Sequence, residues 1–317
     1  MSHSDEPERN DGQTRLLRDV GATVAAAAAS AGASWAAYNY LNSQATAARA
    51  VIPHRTDNAP DADGVYLPDD DPRGPGPIKY TRGTQVDFHL MFFGDSTAAG
   101  LGVDEPAQTP GAQLVRRVVD ETGKVVRYSN KAIVGATSKG LAAQIDAAIV
   151  ARERPDVAVI LIGANDVTAR NWIGPSARRL GDAVHQLVDV GAKVIVGTCP
   201  DLGVVTAIPQ PLRTVLRQYG LRLAAAQRSE VRSNGGRPVP MADVLAKEFL
   251  SRPDSMFSPD RYHPSAAGYA LAAENLLPEV LAAIGEWGPG PLPKPPVVSE
   301  TVEENKLIRR FTRRVLR

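Results

Sequence analysis

The sequence predicts an α/β fold: a parallel sheet with helices on both faces. Short apolar runs alternate with stretches of helical periodicity through the middle of the chain. The strongest run, Asp156–Ile162 (DVAVILI), is almost wholly apolar, as a parallel strand covered on both sides requires. Polar residues gather just past the ends of these runs, where open α/β sheets place their sites.

Taken in order, Val86–Phe93 is a first strand that ends in Gly94-Asp95-Ser96, and a helix follows near Gln113–Glu121. Lys124–Asn130 reads as a second strand, Leu141–Arg152 as a helix, and Asp156–Ile162 as the third strand. Pro175–Val190 is helical, Lys193–Gly197 a fourth strand and Leu212–Ser229 a helix. Arg237–Pro240 suits only an edge strand, because Pro238 and Pro240 lack the N–H that a central strand needs. A helix near Ala266–Ile284 closes the domain.

The 317 residues are 43% hydrophobic and 22% charged, which excludes collagen-like, disordered and multi-spanning membrane classes. A net charge of +1 gives no global field for nucleic acid, so no nucleic-acid partner is expected. The single cysteine, Cys199, excludes an internal disulfide framework. Residues 1–51 read as a tail with a possible signal-anchor or signal-peptide helix. Val20–Ala48 carries no charged side chain, follows Arg9, Arg15 and Arg18, and holds Ala-x-Ala sites at Ala31–Ala33 and Ala45–Ala47. A soluble alanine-rich helix is the alternative. Residues 52–85, rich in Pro, Asp and Gly, read as a linker, and residues 86–287 as the folded domain. Residues 288–317 read as a second Pro-rich linker and a basic amphipathic helix, with Leu307, Ile308, Phe311 and Val315 on one face and arginines around the other. Such ends suit contact with a membrane or cell-envelope surface, with the domain exported or anchored outside the cytoplasmic membrane; a cytoplasmic location is the alternative.

Four loops at strand ends hold the candidate chemistry. Gly94-Asp95-Ser96 sets a serine where a helix begins, with backbone N–H groups facing outward. Gly135 lets a backbone N–H approach an anion closely, and the Gly-x-x-x-x-Gly of Gly135–Gly140 is followed by Leu141 where a phosphate loop has lysine. Gly163-Ala164-Asn165-Asp166 puts an amide side chain at the mouth of the sheet. Asp260-Arg261-Tyr262-His263 spaces a carboxylate and an imidazole so that one can fix the tautomer of the other. Each has an ordinary structural use in caps and turns. His3, His54, His89 and His185 sit in the tail, the linker, a strand and a helix, and suit solvent or packing. A metal site at Asp95, Asp260 and His263 would lack a tight ligand cluster.

Together, Phe93-Gly94-Asp95-Ser96, Gly135, Gly163-x-Asn165-Asp166 and Asp260-x-x-His263 resemble the four blocks of the SGNH/GDSL hydrolases, in the family's order, over about Val86–Gly285. The resemblance implies a three-layer α/β/α, flavodoxin-like sheet and a serine hydrolase acting on esters. It implies Ser96 as nucleophile, Asp260 and His263 as the other triad members, and Ser96, Gly135 and Asn165 as oxyanion donors. No metal or organic cofactor is needed. The expected substrate is a small-molecule or lipid ester. The absence of a long apolar lid insertion, with the Thr198–Pro211 stretch as a shallow wall around Cys199 and Leu202, points to short acyl chains. Acyl transfer, or removal of O-acetyl groups from cell-envelope sugars, would use the same site; a non-catalytic, membrane-tethered binding protein would leave it idle.

Overall fold

The structure is a computed structural model that describes residues 34–46 and 59–294, together with 296, 299–301, 303 and 306. Residues up to Val51 form one unit and Ile52–Arg317 another. In the first unit, residues 34–46 form helix α1, with Trp35, Tyr38 and Tyr40 exposed. Among the described residues no helix is long and apolar enough to cross a membrane. Most of Val20–Ala48 and all of the basic stretch Leu307–Arg317 lie outside the described residues.

The second unit is built on six strands: β1 (Gly64–Tyr66), β2 (Phe88–Gly94), β3 (Val126–Asn130), β4 (Val157–Leu161), β5 (Lys193–Gly197) and β6 (Arg237–Val239). They lie in the order β1-β3-β2-β4-β5-β6, every neighbour pair parallel except β1 with β3. The register sets Phe92 beside Asn130, Gly94 beside Leu161, and Leu161 beside Gly197, so four strands end together. Their carboxyl ends form the mouth of the sheet.

Both faces are covered, which explains the continuous apolar runs. Leu90, Phe92, Val157, Val159 and Ile195 pack on one side with α3 (Pro110–Thr122) and a late helix, Ala266–Ala283. Met91, Phe93, Ala158, Ile160, Val194 and Val196 pack on the other with α4 (Leu141–Val150), α6 (Ile173–Asp189) and α7 (Leu212–Ser233). Each fully buried aliphatic or aromatic side chain contributes about 1.5–3 kcal/mol. The remaining helices are α2 (Ser96–Ala99), α5 (Ala164–Thr168), α8 (Met241–Ser251) and α9 (Pro253–Met256), which makes Ala266–Ala283 α10.

Within the predicted linker, residues 59–85 carry a strand. Strand β1 extends the sheet from within it, and Val65 and Ile78 exchange backbone hydrogen bonds of 2.8 and 2.9 Å. Arg116 of α3 then holds the carbonyls of Leu67 and Pro75, each at 2.9 Å. A three-residue strand is too short to show a period, and the prolines around it mask the apolar Val65, Tyr66 and Leu67. Helix α8 was likewise not among the expected elements.

His89 of β2 is a packing residue. Its Nδ1–H donates to the Arg154 carbonyl at 3.3 Å, and Nε2 accepts from the Ser129 hydroxyl at 2.6 Å. Burial, reinforced by Arg127, pushes its pKa from 6.5 down to about 4. Between those values the unfolded chain binds a proton that the native state refuses, so stability is lost as pH falls, by about 3 kcal/mol in total. Asp95, whose carboxyl burial pushes up to about 6, titrates in the opposite sense. The wild-type curve therefore shows a balance, and the His89 share emerges by difference. His89→Gln, measured against wild type in urea melts from pH 7 to pH 4, should gain about 3 kcal/mol relative to wild type; parallel curves would remove His89 from the account.

Candidate active site

The first element of the site is a close backbone approach. Gly94 ends β2 at φ 137°, and a Cβ there would lie 2.0 Å from the Leu161 carbonyl oxygen. Asp95 then caps α2, its Oδ1 accepting from the Thr97 N–H at 2.9 Å. Ser96 is the first residue of α2, where an N–H has no carbonyl within the helix to meet. Asn130, at the end of β3, braces α2 by donating from Nδ2 to the Ala98 carbonyl at 2.8 Å.

The loop before α10 supplies the second element. Asp260 Oδ1 accepts from the Ser258 hydroxyl at 2.7 Å and from the N–H groups of Tyr262 and His263 at 2.8 Å each. Its Oδ2 meets His263 Nδ1 at 2.8 Å. Burial works to raise the Asp260 pKa, but hydrogen bonds from the His263 ring, Ser258 and the two amides outweigh it and hold the carboxyl well below the usual range. A carboxylate facing Nδ1 fixes the proton there and leaves Nε2 as an acceptor. His263 Nε2 lies 3.1 Å from Ser96 Oγ, although 167 residues separate them. A hydroxyl held in this way is set to lose its proton as it attacks.

The loops after β3 and β4 form the third element. Gly135 has φ 81° and open space where a Cβ would stand. Asn165, on α5, donates from Nδ2 to the Ala136 carbonyl at 3.0 Å, which ties the two loops and fixes its amide. Asp166 does more than shape a turn. Wholly buried, it accepts from the Ser138 N–H and hydroxyl at 2.8 Å each, from Asn171 Nδ2 at 3.0 Å and from the Ser176 hydroxyl at 2.8 Å. One carboxylate thus knits the Gly135 loop to α6.

Two buried glutamines complete the frame and were missed in the sequence. Gln144 of α4 accepts from the Gly94 N–H and donates to the Gly94 carbonyl, both at 2.8 Å. Gln227 of α7 accepts from the Cys199 N–H at 2.7 Å and donates to the Ile162 carbonyl at 3.1 Å. The available signal was position: each falls on the buried stripe of its helix, with Leu141, Ile145 and Ala148 in one case and Leu223, Ala224 and Val231 in the other.

Beside α2 and the His263 loop opens an apolar cavity of about 90 Å³, lined among others by Thr97, Leu161, Leu202, Val205, Phe249 and Phe257. Cys199 is fully buried and faces Gly163, and burial pushes its thiol pKa well above the ordinary value. Among the described residues no group of three or more His, Cys, Asp and Glu side chains is arranged to hold a metal ion.

Residues 92–271 match the model of the GDSL-like Lipase/Acylhydrolase family. A GDSL-like esterase of Mycobacterium tuberculosis is 52% identical over 266 residues, 84% of this chain and 83% of the relative. The crystal structure of the lipase Lip_vut3 from a goat rumen metagenome superposes with a TM-score of 0.50 at 15% identity, covering 64% of this chain and 99% of that one. The structure of TesA gives a TM-score of 0.49 at 26% identity, covering 62% and 99%. By family match and by relative, the chain belongs to the GDSL-like lipase/acylhydrolase family.

Proposed function

We propose that the protein hydrolyses carboxylic esters through an acyl-serine intermediate, with Ser96 as nucleophile, His263 as general base and acid, and Asp260 as the group that orients the imidazole. The observation that carries this is the unbroken line from Ser96 Oγ to His263 Nε2 at 3.1 Å and from His263 Nδ1 to Asp260 Oδ2 at 2.8 Å. A neutral serine is a poor nucleophile; His263 accepts its proton as Oγ attacks the acyl carbon and returns it to the leaving alcohol. The Ser96 and Gly135 N–H groups and the Asn165 amide stabilise the oxyanion, each such donor worth about 3–4 kcal/mol in the transition state. Water deacylates Ser96 by the same proton path. Ser96→Ala and His263→Ala should each lower ester hydrolysis by orders of magnitude in a protein that still folds, and Asn165→Ala should lower kcat about a hundredfold with little change in KM. Wild-type turnover by a folded Ser96→Ala variant would end the proposal; a change in KM alone would remove Asn165 from the oxyanion site.

The acyl group we assign is short. Support comes from the small apolar cavity of about 90 Å³, where each methylene buried adds about 0.8 kcal/mol. Specificity measured as kcat/KM from acetyl to decanoyl esters should stop rising after a few carbons. A steady rise to decanoyl would show a longer channel.

We further propose that the domain works outside the cytoplasmic membrane, held by its N-terminal segment. The support is compositional: Val20–Ala48 is uncharged, arginines precede it, and five arginines fall within Leu307–Arg317. Fractionation of cells should find the full-length chain with the membrane or outside it; recovery wholly in the cytosol would refute the tether.

A further inference from the structure

The polar contacts of Ser299–Thr301 have no part in the chemistry above, yet they lead back to the cavity. On α7, Arg217 and Arg228 stand three helical turns apart and so share a face. Arg228 donates to the hydroxyl of Thr301 at 2.8 Å and to Asp243 of α8 at 3.1 Å. The Ser299 hydroxyl donates to the same Asp243 carboxylate at 2.6 Å. Thr301 is wholly buried, and the Asp243 side chain is 1% exposed, so this anchorage is made inside the fold.

Between Ser299 and Thr301, Glu300 pairs with the second arginine. Arg217 gives one nitrogen to Glu300 and its Nε to Asp201 Oδ2, the latter at 3.0 Å. Asp201, 2% exposed at its side chain, turns its other oxygen to the Gly203 N–H at 2.7 Å and so caps the single turn Leu202–Val204. The stem of Arg217 lies against Gly203, where a Cβ would come within 2.4 Å of the arginine Cδ. Leu202, Val204 and Val205 line the apolar cavity together with Asp95 and Thr97, which flank Ser96, and Pro264, which follows His263. A planar guanidinium that meets two carboxylates is fixed in orientation by both, and losing either one loosens its hold on the other.

We propose that Ser299–Thr301 is a strap, and that Glu300 and Arg217 are positioning residues that hold the Leu202–Val205 wall against the acyl group of the substrate. The proposal rests on the reading of Ser96 as the acylated nucleophile. Its effect is selective, because the wall touches an acyl chain beyond its first carbons and leaves the reacting atoms alone. The test uses the full-length chain with p-nitrophenyl acetate, butyrate and hexanoate, comparing wild type, Glu300→Ala, Glu300→Gln and Glu300→Asp. Glu300→Ala and Glu300→Gln should raise KM for butyrate and hexanoate about three- to tenfold, with kcat on acetate within about twofold of wild type, and Glu300→Asp should recover part of the loss. Equal losses on all three esters that follow a fall in Tm would reduce the strap to a stability element and overturn the proposal. So would an unchanged profile in a wild type that cleaves esters well. A wild type that cleaves none of the three would overturn the ester-hydrolase reading itself, and the strap with it.

Discussion

The site depends first on how closely two strands finish together. At Gly94 only a hydrogen atom fits against the Leu161 carbonyl, and the next residue still reaches that oxygen through the Asp95 N–H at 3.2 Å. The chain can then turn at once into α2 and present Ser96 at the mouth of the sheet. Gly163 meets a similar limit against Cys199, where a Cβ would come within 2.8 Å of the cysteine Cβ. The relative places of Ser96 and Asn165 are therefore set by contacts at the backbone. The glutamine clamps secure the same two strand ends from the helices behind them.

Nearby carboxylates illustrate how environment divides one functional group into different roles. Asp260 collects four hydrogen bonds, and its charge is held firmly. Asp95, 2% exposed beside an apolar cavity, is pushed up to about 6 by burial, against the opposing pull of the Thr97 amide and His263. Asp166 is equally deep but has hydroxyl, amide and backbone donors around it. The first steadies a charge that a reaction can use, the second caps a helix, and the third is a joint between loops.

The sequence made legible what is repeated and local. Strands β2, β4 and β5 announce themselves because both faces are apolar, and Lys193–Gly197 falls where the pattern puts it. Ser96, Gly135, Asn165, Asp260 and His263 lie in loops that the sheet rule marks as the place to look, but only the resemblance of the four loops taken together gave them roles. What was hidden is what depends on distant partners. Gln144 acts on a peptide 50 residues away, and nothing in its own segment names Gly94. Strand β1 exists only because β3 offers it an edge. Helix α8 carries a visible stripe of Met241, Ala242, Ala246 and Phe249, but it is short and follows two prolines that direct attention to an edge strand.

Cys199 has a consequence of another kind. Its thiol is fully buried and held protonated, and it is the sole cysteine of the chain. Oxidants and disulfides react with exposed thiolate, so the folded protein has no sulfhydryl to surrender in an oxidising milieu and no route to a covalently crosslinked dimer. The same burial makes Cys199 a silent reporter. Because it is buried against Gly163, alkylating reagents reach it when the surrounding structure opens, and the rate of labelling becomes a clock for local opening beside the site.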